Sequence, residues 1–92
     1  MTAQIAEIDM LLSQNFLDKA LGMVDRCIGA GEGNLDELYF YRGKINWRRG
    51  LNALAITDFE HALAINPDSK ARHALEMARD VTDFFNPDLL NP

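Results

Sequence analysis

Few side chains in this sequence are of a type and spacing that could do chemistry. The two histidines are His61 and His73, and Glu76 follows His73 by three residues, so one helical face could carry both an imidazole and a carboxylate. Two such groups without cysteine partners make a poor zinc site. The sequence therefore favours two surface histidines, and we expect no metal and no other cofactor.

Nucleophilic catalysis has as little support. Cys27 is the one cysteine, and the chain has no GxSxG motif and no phosphate-binding P-loop. Cys27 falls among the inward-facing residues of a helical pattern, and a buried thiol is normally inert. The run Gly31-Glu32-Gly33 follows a helical segment and is typical of a helix C-terminus. We predict that the protein is not an enzyme and has no catalytic residues.

Composition and charge exclude further classes of function. Ninety-two residues suit one small domain, and a net charge of −5 argues against a nucleic-acid or anionic membrane ligand. No apolar run approaches the roughly 18–20 residues that cross a bilayer, and the start of the chain lacks the basic region of a signal peptide. A single cysteine fits a reducing compartment. We predict a soluble, cytoplasmic protein.

The elements that must position any site are helices. Apolar residues recur every three or four positions almost throughout, without strand-like alternation. Turn signals predict five helices, which are antiparallel because their connections are short; they cover about 3–13, 16–30, 34–49, 52–65 and 69–84. We expect Asn34 to form a capping box with Glu37, and we expect Asn52 and either Asp68 or Ser69 to be N-caps.

The second and fourth predicted helices match when the chain is compared with itself at an offset of 35 residues. Small residues pair with small ones and apolar residues with apolar ones; the pairs are Asn15 with Gly50, Ala20 with Ala55, Val24 with Phe59, Cys27 with Ala62 and Ile28 with Leu63. The offset is close to the period of about 34 residues that marks a tetratricopeptide repeat.

Residues 36–69 resemble one complete tetratricopeptide repeat, and residues 1–33 resemble it less closely. The residues that carry the resemblance are Tyr39, Gly43, Gly50, Ala55, Phe59, Ala62 and Pro67. Gly43, Ala55 and Ala62 would let two helices approach to about 8–10 Å, with Tyr39, Trp47 and Phe59 filling the space around them. The chain departs from the pattern at other positions, which are Arg42 (usually Leu), Asn52 (usually aromatic), Ile8 (usually small), Asn15 (usually Gly) and Gly33 (usually Pro). Because of the three departures in the first repeat, we expect its first helix to pack at a different angle.

The resemblance implies an all-α, right-handed helical-repeat superhelix. It divides the chain into one domain over 1–85, with repeats over about 1–33 and 36–69, a capping helix over about 69–85, and an extended tail over 86–92.

Proteins of this family bind other chains, and the first helix of each repeat lines the concave groove. The resemblance therefore implies a non-catalytic interaction module or adaptor that binds a peptide or partner protein in a groove of the first, third and fifth helices. The candidate groove residues are Glu37, Phe40, Tyr41, Lys44, Trp47 and Arg48. Aromatics with two cations suit an extended peptide that carries a carboxylate. Alternatively, Phe40 and Trp47 pack on neighbouring helices and the cations are solvated.

The end of the chain suggests a second reading, a structural protein that self-associates. Phe84, Phe85, Leu89 and Leu90 are apolar in a stretch that cannot stay helical because of Pro87 and Pro92. They could fold over the third and fifth helices or dock into a second copy to form a homodimer. The sequence does not identify a partner.

Overall fold

Five helices connected by short turns build the fold in the computed structural model, which describes residues 2–84 and the side chains of 2–81. They are α1 (Ala3–Ser13), α2 (Leu17–Ala30), α3 (Leu35–Arg48), α4 (Asn52–Ile65) and α5 (Ala71–Phe84). Each helix packs on the next, and α1 also contacts α3. That part of the chain contains no strand. The predicted all-α fold of five antiparallel helices is confirmed, and every helix boundary lies within two residues of its predicted position.

Side-chain caps begin α1 and α5. The Thr2 hydroxyl accepts a hydrogen bond from the backbone N–H of Ile5 at 3.2 Å. The Ser69 hydroxyl accepts one from the N–H of Ala71 at 3.1 Å, as expected for a serine before α5. At the other end of a helix, α2 closes at Gly31 in the left-handed conformation.

Asn34 occupies the predicted N-cap position of α3, but the predicted capping box is wrong, and so is the predicted N-cap of α4. Asn34 does precede α3, but its side-chain amide donates to the Glu37 carboxylate at 3.2 Å and caps no backbone N–H. Asn52 is the first residue inside α4, and Leu51 occupies the N-cap position without a side-chain hydrogen bond.

The turn after α1 and the turn after α3 have the same geometry, 35 positions apart. The N–H of Phe16 donates to the carbonyl of Leu11, and the N–H of Leu51 donates to that of Asn46, each at 2.9 Å. Asn15 and Gly50 occupy the left-handed region at φ 63° and 80°. Asparagine tolerates this conformation better than most residues, so Asn15 can replace a turn glycine. The equivalence at an offset of 35 residues therefore extends to the backbone of these two turns.

Two clusters of buried side chains form the core. The first joins α1, α2 and α3 through Ile5, Ile8, Leu12, Ala20, Val24, Cys27, Leu38, Tyr41 and Ile45. The second joins α4 and α5 through Ala55, Phe59, Ala62, Ala71, Leu75 and Ala78, with Tyr39 and Trp47 of α3 packed against it. The first is rich in branched aliphatic residues, whereas the second combines alanines with aromatics.

Gly43 lies against the Phe59 ring where α3 crosses α4. A Cβ atom added to Gly43 would stand 2.6 Å from Phe59 Cδ1, which is an overlap. Of the other predicted packing residues, Ala55 and Ala62 are fully buried, Tyr39 is half-buried, Gly50 turns the chain, and Pro67 is exposed just after α4. At the positions of the first hairpin equivalent to Gly43 and Phe59, Ile8 and Val24 are both fully buried.

No helix within residues 2–84 is both long and apolar enough to cross a bilayer. The predictions for the side chain of Phe84, for Phe85, Leu89 and Leu90, and for the tail over 86–92 concern residues outside those described.

Candidate partner-binding groove

An apolar groove of about 240 Å³ runs between α3 and α5. It is lined by Lys44, Trp47, Arg48, Phe59, Ala74, Met77, Ala78 and Val81. Met77 and Val81 are 55% and 41% exposed, so two large apolar side chains face solvent along one edge. No residue of α1 is among the lining residues, which corrects the predicted groove of the first, third and fifth helices to one between the third and fifth.

Helical spacing explains why these residues share one groove. On α5, Ala74, Met77, Ala78 and Val81 are separated by three and four positions and so lie on one face. The residues from α3 have the same spacing. Because alanine has a short side chain, Ala74 and Ala78 leave space between the two helices that larger residues would fill.

The charged groups at the groove are both cationic. Lys44 and Arg48 line it, and no carboxylate does, in a chain whose net charge is −5. The Lys44 ammonium lies 5.3 Å from the ring centroids of both Phe40 and Tyr41. Arg48 donates one hydrogen bond to the carbonyl of Leu12 at 2.7 Å and thereby holds the end of α1. A guanidinium has five N–H donors, so this bond leaves donors for a ligand.

The six residues predicted to line one groove separate into three places. Lys44, Trp47 and Arg48 line the α3–α5 groove. Glu37 and Phe40 line a second, more polar depression of about 170 Å³, together with Asp36, Asn66, Asp68, Ser69 and Lys70. Tyr41 is buried in the first core and is 5% exposed.

The prediction that Tyr41 faces a partner is therefore wrong, and α1 is the reason. Because α1 packs on α3 as well as on α2, it covers this part of α3. Burial, the charge and hydrogen bonding of Asp9, and the charge of Glu37 raise the pKa of Tyr41 above its ordinary value. Tyr41 thus belongs to the helix interface, and a substitution there would test the fold and not the groove.

A buried polar network that was not predicted from the sequence joins α3 to α4. Asp58 is 3% exposed. Its Oδ1 accepts from Arg42 Nε at 3.0 Å and Nη2 at 2.9 Å, and its Oδ2 accepts from Asn46 Nδ2 at 2.9 Å. Every carboxylate oxygen is thus paired, as a buried charge requires. A lone aspartate among the apolar residues of α4 was the signal available in the sequence.

Arg42 extends this network to α2. Its Nη1 donates to Asp25 at 3.1 Å, and its guanidinium lies 5.0 Å from the Tyr39 ring centroid. Burial lowers the pKa of Arg42, but hydrogen bonds to Asp58 and Asp25 outweigh this and raise it overall. The network therefore gives a physical reason for an arginine at the position where the resembled repeat usually has leucine.

The histidines play no part in a cluster of ligands. His61 is exposed and packs edge-on against Tyr39, with ring centroids 5.0 Å apart. His73 is exposed on α5. Within the described part of the chain, no three His, Cys, Asp or Glu side chains are grouped so that they could hold a metal ion.

The fold is similar to one solved structure in particular. A solution NMR structure of the Bacteroides fragilis protein BF1650, a structural genomics target, matches this chain with a TM-score of 0.85 and 27% sequence identity. The match covers 98% of this chain and 91% of that one. No protein-family model and no curated protein matches the chain. The likeness supports the helical architecture, and the name of that protein states no activity.

Proposed function

We propose that this protein is a non-catalytic interaction module of the tetratricopeptide-repeat type, which binds a short segment of a partner protein in the α3–α5 groove. One observation carries the proposal: the groove is apolar, two large side chains are exposed along it, and both charged groups that line it are cations. The internal repeat of turns supports assignment to a repeat architecture.

The lining defines the chemistry of the partner segment. Trp47 and Met77 offer an aromatic and a flexible thioether surface, which suit apolar anchor side chains. Lys44 and Arg48 would pair with a carboxylate. We therefore propose a segment with one or two apolar side chains next to an Asp or Glu.

The size and composition of the groove favour a peptide over a metabolite. Its volume of about 240 Å³ is below the roughly 300–1,000 Å³ of small-molecule sites. The lining contains no serine, cysteine, histidine or carboxylate that could act as a nucleophile or a general base. The proposal also keeps the cytoplasm as the compartment, since the free Cys27 thiol is buried and unpaired.

Affinity capture from a native lysate tests the proposal when two matched variants are compared. The groove variant is Lys44→Glu/Met77→Glu, and the control is Lys19→Glu/Met10→Glu. The variants have identical composition and net charge. The sites match as well, since Lys19 lies 5.6 Å from the Phe16 ring centroid, and Met10 is 52% exposed against 55% for Met77.

We expect a partner to be retained by the native protein and by the control and to be lost by the groove variant, with all three showing the same helical circular dichroism. Equal retention by both variants would place binding elsewhere. Recovery of the protein alone, together with a mass that grows with concentration, would favour the self-associating alternative.

A further inference from the structure

We propose that the partner segment crosses α1, α3 and α5 in turn and places one side chain on each helix, three residues apart in its own sequence. The side chain on α1 is basic, the one on α3 is acidic, and the one on α5 is large and apolar. This inference rests on the α3–α5 groove being the binding site proposed above. It adds the order of the recognised side chains, their spacing and the conformation of the segment that carries them.

The helices α3 and α5 turn corresponding faces toward the hairpin that precedes each of them. Leu38 and Ile45 of α3 are buried in the first core. The residues 33 positions later, Ala71 and Ala78, are buried in the second core. An offset of 33 residues therefore relates α3 to α5, and residues at that offset lie on the same side of their helices.

The groove residues follow this offset. Lys44 corresponds to Met77 and Arg48 to Val81, and all four line the groove. The same two helical positions therefore carry cations on α3 and large apolar side chains on α5.

Asp9 and Ser13 are the corresponding residues of α1, at the offset of 35 residues that relates the two hairpins. Asp9 is half-buried and Ser13 is exposed. Tyr41 lies between Asp9 and the groove: its phenol is hydrogen-bonded to the Asp9 carboxylate, and the Lys44 ammonium lies 5.3 Å from its ring centroid. A carboxylate on α1 thus borders the cations on α3.

Charge complementarity gives the order of the partner's side chains. Within residues 2–81, the ion pairs are those of Arg42 and Arg79, so Lys44 and Arg48 keep their charge for a partner. A partner carboxylate is attracted to α3 and repelled by the Asp9 carboxylate on α1, where a cation is favoured. Basic, acidic and apolar side chains therefore follow one another in the order of the three helices.

The distance between helices gives the spacing. Helices that lie side by side have axes about 8–10 Å apart. A polyproline-II chain has three residues per turn and places residues i and i+3 on one side, about 9 Å apart. A β-strand places side chains on one side at about 7 or 13 Å, and neither distance fits. A helix about 10–12 Å across is too wide for a groove of about 240 Å³.

The test uses synthetic peptides with arginine, aspartate and phenylalanine three residues apart and prolines between them, which hold the polyproline-II conformation. In two matched peptides, one proline or three prolines separate the aspartate from the phenylalanine. Each peptide is also made in reversed order, since either chain direction fits the order of the helices. Trp47 is the chain's one tryptophan and lines the groove, so its fluorescence reports binding.

We expect the peptide with two prolines to bind the native protein about tenfold more tightly than either matched peptide, in one of the two chain directions, because only that spacing lets both the carboxylate and the ring make their contacts.

A second comparison tests the place of α1. Replacing the peptide's arginine with glutamate should weaken binding to the native protein roughly fivefold. An Asp9→Asn variant should lose this preference, and its amide oxygen can still accept from Tyr41. The control is Asp18→Asn, which makes the same charge change at an exposed position at the start of α2 and should keep the preference.

Equal affinity at all spacings, tightest binding with one or three prolines, or no binding by any peptide would overturn the inference. An unchanged preference for arginine in the Asp9→Asn variant would also overturn it, because α1 would then not be part of the surface. None of these results bears on the lysate capture, in which a partner lost by the groove variant would still support the proposed function.

Discussion

The two helical hairpins, α1–α2 and α3–α4, have the same turn but fill their helix crossings in opposite ways. In the first, Ile8 and Val24 are both fully buried. In the second, the equivalent positions hold Gly43 and Phe59, and the phenylalanine ring occupies the space that the glycine leaves. The two hairpins therefore share the backbone geometry of their turn, while the side-chain volume at the helix crossing can come from either helix. Phe59 also lines the α3–α5 groove, so the side chain that fills the second crossing is also part of the candidate site.

A second difference lies beside that crossing. The network residues Arg42, Asn46 and Asp58 have Glu7, Leu11 and Met23 as their equivalents in the first hairpin. Leu11 and Met23 pack against the first core as partly buried apolar residues. The same pair of helices can therefore be joined by apolar contact or by a paired buried charge.

Asp58→Ala should have the largest effect on stability. It leaves Arg42 and Asn46 without their buried partner, and breaking a buried pair costs roughly 3–5 kcal/mol. We expect about 3 kcal/mol, because the Arg42 side chain keeps 26% exposure and still pairs with Asp25. Chemical denaturation measures the loss.

A variant without the buried charges sharpens this prediction, with Asn46→Leu and Asp58→Met taken from Leu11 and Met23 of the first hairpin and Arg42→Leu removing the remaining charge. Replacing a buried network with apolar residues is often neutral or stabilising. The triple variant Arg42→Leu/Asn46→Leu/Asp58→Met should therefore unfold within about 1 kcal/mol of the native protein. A loss as large as that of Asp58→Ala would mean that the network does more than join the helices.

Gly43→Ala should have the next largest effect on stability. Alanine gains about 0.8–1 kcal/mol of helix propensity, but forcing a methyl group into the Phe59 ring costs about 1–3 kcal/mol. We expect net destabilisation, measured as a lower melting temperature. Phe59→Val, taken from the first hairpin, should suppress the effect of Gly43→Ala in a double-mutant cycle. A stabilised Gly43→Ala protein, or strict additivity in the cycle, would contradict the crossing described above.

Asn15→Ala tests the equivalence of the two turns with a smaller effect. A left-handed conformation costs most residues about 1–2 kcal/mol, whereas glycine adopts it without strain. We expect Asn15→Ala to lose about 1 kcal/mol and Asn15→Gly to stay close to the native stability. If Asn15→Ala and Asn15→Gly change the free energy of unfolding equally in denaturant titration, the left-handed backbone conformation is not the cause of the effect.

Tyr41→Phe should have the smallest effect on stability, and this effect appears at high pH. Its pKa in the folded chain is raised above the ordinary value of 10.0, so folding favours the neutral phenol. This contribution is fully present below pH 10 and disappears as the pH rises through the raised pKa. Tyr41→Phe should flatten the alkaline fall in stability, because phenylalanine has no proton to lose. An alkaline limb with the same slope in both proteins would contradict this placement of the phenol.

The helices were predictable because periodicity and turn residues are local signals. The 35-residue offset likewise predicted that Asn15 and Gly50 would occupy equivalent turns, and both take a left-handed conformation. The features that could not be predicted depend on how the helices pack on one another. Tyr41 and Lys44 are three positions apart on α3, yet α1 buries the first while the second lines the groove. Periodicity places both on neighbouring parts of one helix and cannot say where α1 lies.

The polar network escaped for a related reason. Arg42 and Asp58 are 16 positions apart, and although an aspartate among the apolar residues of α4 indicates a buried charge, it does not identify the partner. Their pairing follows only from the packing of α3 on α4. The capping box predicted at Asn34 and the N-cap predicted at Asn52 do not form, although both have the residues of a local motif: Asn34 donates to the Glu37 carboxylate, and Leu51 takes the N-cap position of α4.

Selection of short random peptides on the native protein tests the central claim most directly, followed by titration of the winners while Trp47 fluorescence is recorded. We predict peptides that combine apolar side chains with an Asp or Glu, that change the emission of Trp47, and that bind Lys44→Glu/Met77→Glu far more weakly than Lys19→Glu/Met10→Glu. Peptides that bind both variants equally and leave Trp47 unchanged would show that the α3–α5 groove is not the binding site.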